Sequence, residues 1–367
     1  MAESSWSVED GYYLRMARRL AQRAAGRTSP NPIVGAVIVR NGKIVGTGYH
    51  RFAGGDHAEI IALKRAGARA KGATLYITLE PCSHQGRTPP CTRALIGAGI
   101  KEVVAGTRDP NPRVAGRGFE RLKRAGIRVR IGLQETECRA LIEVFAKFIV
   151  RRTPFITLKL AASLDGKIAA ASGDARWISN AASRRWVHQL RNQVDAVLVG
   201  LGTVRADNPQ LTCRMPGGRN PWRVILDDRL RMPLTAKVLH QRDPQKTIVV
   251  TTALAPAAKA RALQRLGAQV WRLPMRRHRI AWRPLLRKLA SAEIVSVMIE
   301  GGATVAASAL REKIVDKIIF FYAPKVLGGD GLGMIGGLGI RRVRQSVGVK
   351  KLTVKKSGSD FVLIGYL

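Results

Sequence analysis

The apolar positions of this chain fall into two successive series of helix-like and strand-like runs. Behind Ser7, the residues Tyr13, Met16, Ala17, Leu20 and Ala24 recur at helical spacing, which predicts an N-terminal helix capped by Ser7 and stopped at Gly26. Pro30-Asn31-Pro32 then leads into two strands, 33–40 and 43–49, joined at Asn41-Gly42, a dipeptide that favours two-residue hairpin turns. Further strands are expected at 74–79, 102–106 and 127–131, alternating with helical stretches near 57–70, 90–98 and 116–125. This order predicts a three-layer α/β domain. A helix from Glu135 should end before Arg151-Arg152-Thr153-Pro154, because Pro154 disfavours a helical residue ahead of it. The boundary is placed there, dividing 1–150 from 151–367.

The second series begins at 155–161 and continues with apolar strands at 195–199, 222–226, 247–251, 269–273, 294–299 and 317–322, most of them separated by helical stretches. A mostly parallel α/β sheet is expected, closed by edge or antiparallel strands at 352–355 and 361–367. Gly331-Leu332-Gly333-Met334-Ile335-Gly336 matches the dinucleotide pattern G-x-G-x-x-G literally. Lys351 stands where that fingerprint needs an acidic residue, and the following GLGIRRVRQ opens a helix poorly, so the segment is read as a mobile Gly-rich loop.

At 367 residues the chain has room for two cores. No apolar run reaches membrane-spanning length, and the start MAESSWSVEDGYY lacks a basic segment followed by an apolar one, so a cytoplasmic protein without a membrane partner is expected. Four cysteines over this length make no disulfide framework. Charge complicates the picture: 63 basic residues face 25 acidic ones, a net +38, with 25 against 12 in residues 1–150 and 38 against 13 in the rest. Such an excess raises the question of a nucleic-acid partner. The basic residues are dispersed in short pairs such as Arg276-Arg277 and Lys350-Lys351, however, and aromatics are only 5%, too few for a stacking platform. No specific nucleic acid is expected, and the charge is read as a solvated surface open to weak adventitious binding of polyanions.

Candidate chemistry concentrates in His57-Ala58-Glu59, Pro81-Cys82 and Cys91. One imidazole and two thiolates fill three positions of a tetrahedral zinc and leave the fourth for water, the arrangement of an open catalytic site. Bound water is acidified from about 15.7 towards about 7, and Glu59 beside it can carry a proton to a departing amine. Hydrolytic deamination follows. Residues i and i+2 of a helix point about 200° apart, so His57 and Glu59 can share a site only at a helix entry. The plain alternative makes Cys82 and Cys91 core thiols, but the loop EPCSHQGRTPPC offers little apolar surface. Cys138 and Cys213 have no such company and are read as packing residues. His50 and His84 lie nearest the motif, as substrate contacts or as plain loop histidines. Eight residues separate Cys82 from Cys91, a departure from the P-C-x-x-C of nucleobase deaminases.

In the second half, Glu300-Gly301-Gly302 follows a strand and precedes a helical run, where backbone NH groups can meet a pyrophosphate. Gly200 and Gly202-Thr203 follow another strand in the same way. By spacing alone, each is as readily a simple turn as a cofactor contact. Lys159 and Asp165 admit three readings: an internal charge pair, sugar-orienting groups, or a turn at Asp165-Gly166.

The segments PNPIVGAVIV (30–39), HAE (57–59), TLEPCSHQGRTPPC (78–91) and DPNPRVAGRG (109–118) closely resemble the bifunctional riboflavin-biosynthesis deaminase/reductase family. The resemblance continues in order through KLAASLDGKIA (159–169), VGLGTVRADNPQLTCR (199–214), IEGG (299–302) and FYAPKVLGG (321–329), nearly the whole chain. It implies a cytidine-deaminase-like first domain and a dihydrofolate-reductase-like second one. It also implies one zinc per chain on His57, Cys82 and Cys91, with Glu59 as proton shuttle and Asn31, His50 and His84 near the pyrimidine substrate. NADPH is implied at Ala161, Trp177, Thr203, Asp207 and the 301–307 loop, which includes Gly301, Gly302, Ala303 and Thr304. The ribosyl phosphate is implied at Ala175, Arg191, Leu211, Arg214 and Glu300. Relatives often carry serine at position 175, so Ala175 puts a hydroxyl contact in doubt. The implied reaction is deamination of 2,5-diamino-6-(5-phosphoribosylamino)pyrimidin-4-one, then NADPH-dependent reduction of ribosyl to ribityl, by a homo-oligomer. Three other readings compete: a nucleic-acid deaminase, which leaves the second-half motifs unused; a deaminase with a silent second domain; and a noncatalytic nucleic-acid-binding protein, which ignores the zinc set.

Overall fold

In the computed structural model, which describes residues 6–83, 90–112, 114–277 and 279–367, helix α1 (Val8–Gln22) starts in a capping box. The Asp10 amide donates to Ser7 Oγ and the Ser7 amide donates to the Asp10 carboxylate, so two orphan donors are satisfied together. The helix ends before Ala24, which is buried in the turns that follow, and Gly26 redirects the chain at φ 77°. Strands β1 (Gly35–Arg40) and β2 (Lys43–Tyr49) form the expected hairpin, with Asn41 and Gly42 at φ 50° and 70°, the positive values a type I′ turn requires. Then come α2 (Ala58–Ala66), β3 (Thr74–Ile77), α3 (Cys91–Gly97), β4 (Glu102–Ala105), α4 (Arg117–Arg124), β5 (Arg128–Ile131), α5 (Glu135–Leu141) and α6 (Glu143–Arg151).

The first sheet has the order β2-β1-β3-β4-β5, with β1 antiparallel to both neighbours and β3, β4 and β5 parallel. Successive side chains take opposite faces. Ile38, Leu75, Ile77 and Val103 pack with Ala58, Leu95 and Phe119 of the helices on one side, whereas Val37, Tyr76 and Val104 pack with Leu14, Ala17 and Cys138 on the other. The three layers expected from the sequence are present. The one helix expected from Glu135 is two, broken at Ile142, which leaves helical geometry (φ −112°, ψ 14°) and is buried.

The chain divides into two compact units, Met1–Arg152 and Thr153–Leu367. The second begins with β6 (Phe155–Ser163), β7 (Lys167–Ala169), α7 (Ala181–Gln193), β8 (Ala196–Gly200), α8 (Leu201–Asp207), β9 (Trp222–Leu226), β10 (Thr247–Thr251), α9 (Ala257–Arg265) and β11 (Gln269–Arg272). A small hairpin, β12 (Met275–Arg276) and β13 (Arg279–Ile280), precedes α10 (Trp282–Ser291), β14 (Ser296–Glu300), α11 (Ala303–Arg311), β15 (Lys317–Ala323), β16 (Leu332–Gly333), β17 (Lys350–Ser357) and β18 (Asp360–Tyr366). Nine strands form one sheet in the order β11-β10-β9-β8-β14-β6-β15-β18-β17, parallel except at the β18 and β17 edge. The carboxyl ends of β8, β14 and β6 therefore lie side by side, where open α/β sheets bind ligands.

The Gly-rich segment differs from the loose loop expected. β16 pairs with β7, the Met334 amide donates to the Gly166 carbonyl at 2.9 Å, and the Met334 side chain enters the core. Among the described residues, no helix is long and apolar enough to cross a membrane.

Candidate functional site

His57 is the N-cap of α2, still extended at φ −71° and ψ 163°, so its imidazole leaves the helix end while Glu59 occupies the first turn. Gly48 of β2 permits this placement: a Cβ there would collide with the Ala58 carbonyl oxygen. Cys82 stands in the loop after β3, and Cys91 opens α3 with its amide donating to Cys82 Sγ at 3.3 Å. His57 Nδ1 lies 3.2 Å from Cys91 Sγ and 3.6 Å from Cys82 Sγ, and the three ligand atoms all fall within 4.8 Å of one another. A tetrahedral zinc with bonds of about 2.0 Å to nitrogen and 2.3 Å to sulfur needs ligand separations of roughly 3.5–3.8 Å, so the set fits that ion. Among the described residues it is the one His/Cys/Asp/Glu cluster with this geometry.

The electrostatics agree with a ligand set. A hydrogen bond from Cys91, helped by His57 and the Cys91 amide, pulls the Cys82 thiol down to about 4, and the same contact together with burial pushes Cys91 up. Glu59 is 3% exposed, and burial pushes its carboxyl up to about 7, where it can either hold or release a proton near neutrality.

These groups open on a cavity of about 330 Å³ lined by Asn31, His50, His57, Glu59 and Cys82. His50 is buried, which lowers its pKa and keeps it neutral. Its Nδ1 lies 3.1 Å from the Asp56 carbonyl, which fixes the proton there and leaves Nε2 to accept from Asn31 Nδ2 at 3.3 Å. His84 lies outside the described residues. Glu80, Asp109 and Asn111 also line the cavity. Nothing in their spacing marks them as site residues, because their arrangement depends on backbone partners distant in sequence.

The second unit contains a cavity of about 1010 Å³ at the carboxyl ends of its central strands. Ala161, Trp177, Thr203, Asp207 and residues 301–304 all line it, as do Ala175, Arg191, Leu211, Arg214 and Glu300. Gly301 and Gly302 have φ of 88° and 81°, and a Cβ on Gly302 would press on Thr203 Oγ1 at 3.3 Å. No side chain caps α11, so its first amides face the cavity and suit a pyrophosphate. The donor set and the volume fit a dinucleotide.

Arg191 forks Glu300, with Nε to Oε1 at 2.7 Å and the second nitrogen to Oε2 at 2.9 Å, while its third donor reaches the Thr212 carbonyl at 3.1 Å. Burial alone would raise Glu300, but Arg191 and Lys159 hold it down to about 2. Arg191 therefore has its fork filled, and Arg214 is the more exposed cation, with Nε 3.2 Å from His188 Nε2. Burial and the flanking arginines push His188 down to about 4, so it stays neutral. The pairing of Lys159 with Asp165 does not form. Lys159 Nζ lies 3.8 Å from Glu300, whereas Asp165 accepts from Ser163 Oγ and from the amides of Leu327 and Gly328, closing a turn in which Gly166 has φ 77°. Trp177 is exposed and carries the Arg184 guanidinium 4.5 Å from its ring centre. Cys213 is half-buried beside this cavity, with Sγ 3.5 Å from the His188 carbonyl.

Residues 7–107 match the cytidine and deoxycytidylate deaminase zinc-binding region, and residues 154–363 match the RibD C-terminal domain. The riboflavin biosynthesis protein RibD of Aquifex aeolicus is 48% identical over 355 residues, covering 96% of this chain and 97% of its own. That of Escherichia coli K12 is 40% identical, with 97% and 99% covered. A solved structure of Acinetobacter baumannii RibD is similar with a TM-score of 0.86 at 40% identity, covering 98% of both chains. The Thermotoga maritima diaminohydroxyphosphoribosylaminopyrimidine deaminase/5-amino-6-(5-phosphoribosylamino)uracil reductase gives 0.84 at 38%, again with 98% of both covered. The two halves are thus cytidine-deaminase-like and dihydrofolate-reductase-like, and the chain belongs to the RibD family, the bifunctional deaminase and reductase of riboflavin biosynthesis.

Proposed function

We propose that residues 1–150 deaminate 2,5-diamino-6-(5-phosphoribosylamino)pyrimidin-4-one and that residues 151–367 then reduce its ribosyl group to ribityl with NADPH. The observation that carries this reading is the cluster of His57, Cys82 and Cys91, of which His57 and Cys82 line one cavity together with the buried Glu59. His57, Cys82 and Cys91 would hold one zinc per chain, and the ion would supply an acidified water near neutral pH. Glu59 takes the water proton and delivers it to the departing amine, so that ammonia leaves. Asn31 and His50, joined to each other, orient the pyrimidine and its ribose, and His84 belongs to the same substrate group.

In the second domain the cofactor supplies the hydride, and the protein's task is orientation. Gly301, Gly302, Ala303 and Thr304 hold the pyrophosphate at the start of α11, flanked by Ala161, Trp177, Thr203 and Asp207. Glu300, kept ionised by Arg191, accepts from a sugar hydroxyl, and Arg214 takes the phosphate. Leu211 and Ala175 shape the remaining wall, the latter without a hydroxyl to offer. The protein so read is cytoplasmic, homo-oligomeric and specific for a small phosphorylated pyrimidine.

The test supplies zinc-loaded protein with the diaminopyrimidinone phosphate and follows ammonia release and NADPH oxidation separately. Glu59→Gln should keep zinc yet lose ammonia release by about 10²–10⁴-fold, while still reducing the deaminated pyrimidine. Arg214→Ala should weaken reduction and spare ammonia release. Full ammonia release from the first variant, or unchanged reductase kinetics from the second, would remove that residue from the mechanism.

A further inference from the structure

The loop between β4 and α4 brings Asp109 and Asn111 to the deaminase cavity, and it is tied to the metal-ligand loop through a carboxylate. Glu80 stands two residues before Cys82 and is 4% exposed. Its Oε2 accepts from the amides of Asp109 at 3.1 Å and Gly116 at 2.9 Å, and its Oε1 accepts from those of Gly118 at 2.9 Å and Phe119 at 3.4 Å. Gly116 is the N-cap of α4, and the amides of Gly118 and Phe119 belong to its first turn, where backbone donors have no partner within the helix. The N-cap glycine makes no side-chain cap of its own. Glu80 supplies one from a separate loop.

Two further contacts tighten the joint. The Glu80 amide donates to the Thr107 carbonyl at 3.0 Å, and a Cβ on Gly118 would collide with the Pro81 carbonyl oxygen. Within the loop, Asp109 Oδ1 accepts from the Asn111 backbone amide at 2.8 Å, which ties the Asp109 side chain to the Asn111 backbone. We propose that Glu80 is a positioning residue for deamination: it locks the 109–116 loop to the metal-ligand loop and so fixes Asp109 and Asn111 relative to Glu59. The proposal rests on the deaminase reading above.

Glu80→Gln keeps the shape but turns a carboxamide NH2, a donor, towards backbone N–H donors. The expected result is a rise in KM for deamination of about 10–100-fold with a smaller change in kcat, zinc still bound at one per chain, and unchanged reduction of the deaminated pyrimidine. Gly118→Ala strains the same joint from the opposite side and should give the same signature. In both variants hydrogen exchange should quicken at residues 109–119. An unchanged KM in Glu80→Gln would overturn the proposal, and so would zinc loss accompanying the activity loss, since Glu80 would then serve the metal loop alone. Wild-type protein that holds zinc but releases no ammonia would sink the deaminase reading instead. Unaltered exchange at 109–119 in both variants would then overturn the role given to Glu80.

Discussion

The carboxylate of Asp10 accepts two hydrogen bonds from Arg130, at 2.8 and 3.0 Å, one from the Tyr76 hydroxyl at 2.8 Å and one from the Ser7 amide at 3.0 Å. Burial on its own would raise this carboxyl, yet Arg130 with Ser7 and Tyr76 holds it down to about 2, below its ordinary 3.8. A depressed carboxyl stabilises the fold fully above its unfolded-state value and loses that contribution as pH falls through the folded one. Asp10→Asn should therefore cost on the order of 1–3 kcal/mol at neutral pH, with the gap to wild type closing between about pH 4 and pH 2. Denaturant titrations of both proteins in metal-free form check this, and a gap that stays constant down to pH 2 contradicts it. Residue by residue, legibility follows the nature of the constraint. His57, Cys82, Cys91 and Glu59 could be read because metal and proton chemistry admit few side-chain types: the first three cluster, and His57, Cys82 and Glu59 line one cavity. Glu80 could not, since its partners are backbone amides 29 to 39 residues away that any sequence would supply. The fork between Arg191 and Glu300 spans 109 residues, and the family resemblance identified both ends as substrate groups without indicating that each occupies the other.

Elements were legible where local physics decides them. The Asn41-Gly42 turn and the apolar strands of the second sheet needed only turn geometry and short continuous apolar runs, whereas the break at the buried Ile142 carries no Pro or Gly to mark it. The β12 and β13 hairpin was missed because strands of two residues are too short to display a period. β17 explains a little of the positive charge, because an exposed edge strand bearing Lys350, Lys351, Lys355 and Lys356 resists pairing with other chains. The contact between β2 and α2 has a functional consequence that can be measured. Gly48→Ala would drive a methyl group into the Ala58 carbonyl at the helix entry that presents both His57 and Glu59. The expected cost is about 1–3 kcal/mol of stability in the first unit, with weakened zinc binding and loss of ammonia release, while the reductase keeps its rate. Equal zinc affinity and equal ammonia release in variant and wild type would show that α2 absorbs the methyl without moving the site.

Two units with separate sheets and separate buried clusters should unfold as separate cooperative blocks, each answering to its own ligand. A ligand that binds only the folded form of a unit stabilises that unit by RT ln(1 + [L]/Kd), about 2.7 kcal/mol at a hundredfold excess over Kd. On the proposed reading zinc would act on the first unit through His57, Cys82 and Cys91, and a chelator would remove that contribution because the unfolded chain offers no formed site. On the same reading NADP⁺ would act on the second through the start of α11 and the cavity beside it. Calorimetry of the full chain should accordingly resolve two transitions, the chelator lowering one and NADP⁺ raising the other. Tryptophan gives an independent assignment, since Trp6 alone lies in the first unit and the other five lie in the second. The fluorescence transition should thus follow NADP⁺ and ignore the chelator. If the chelator shifts it as far as the calorimetric transition of the first unit, the two cores unfold as one block and the independence argued from their separate clusters is wrong.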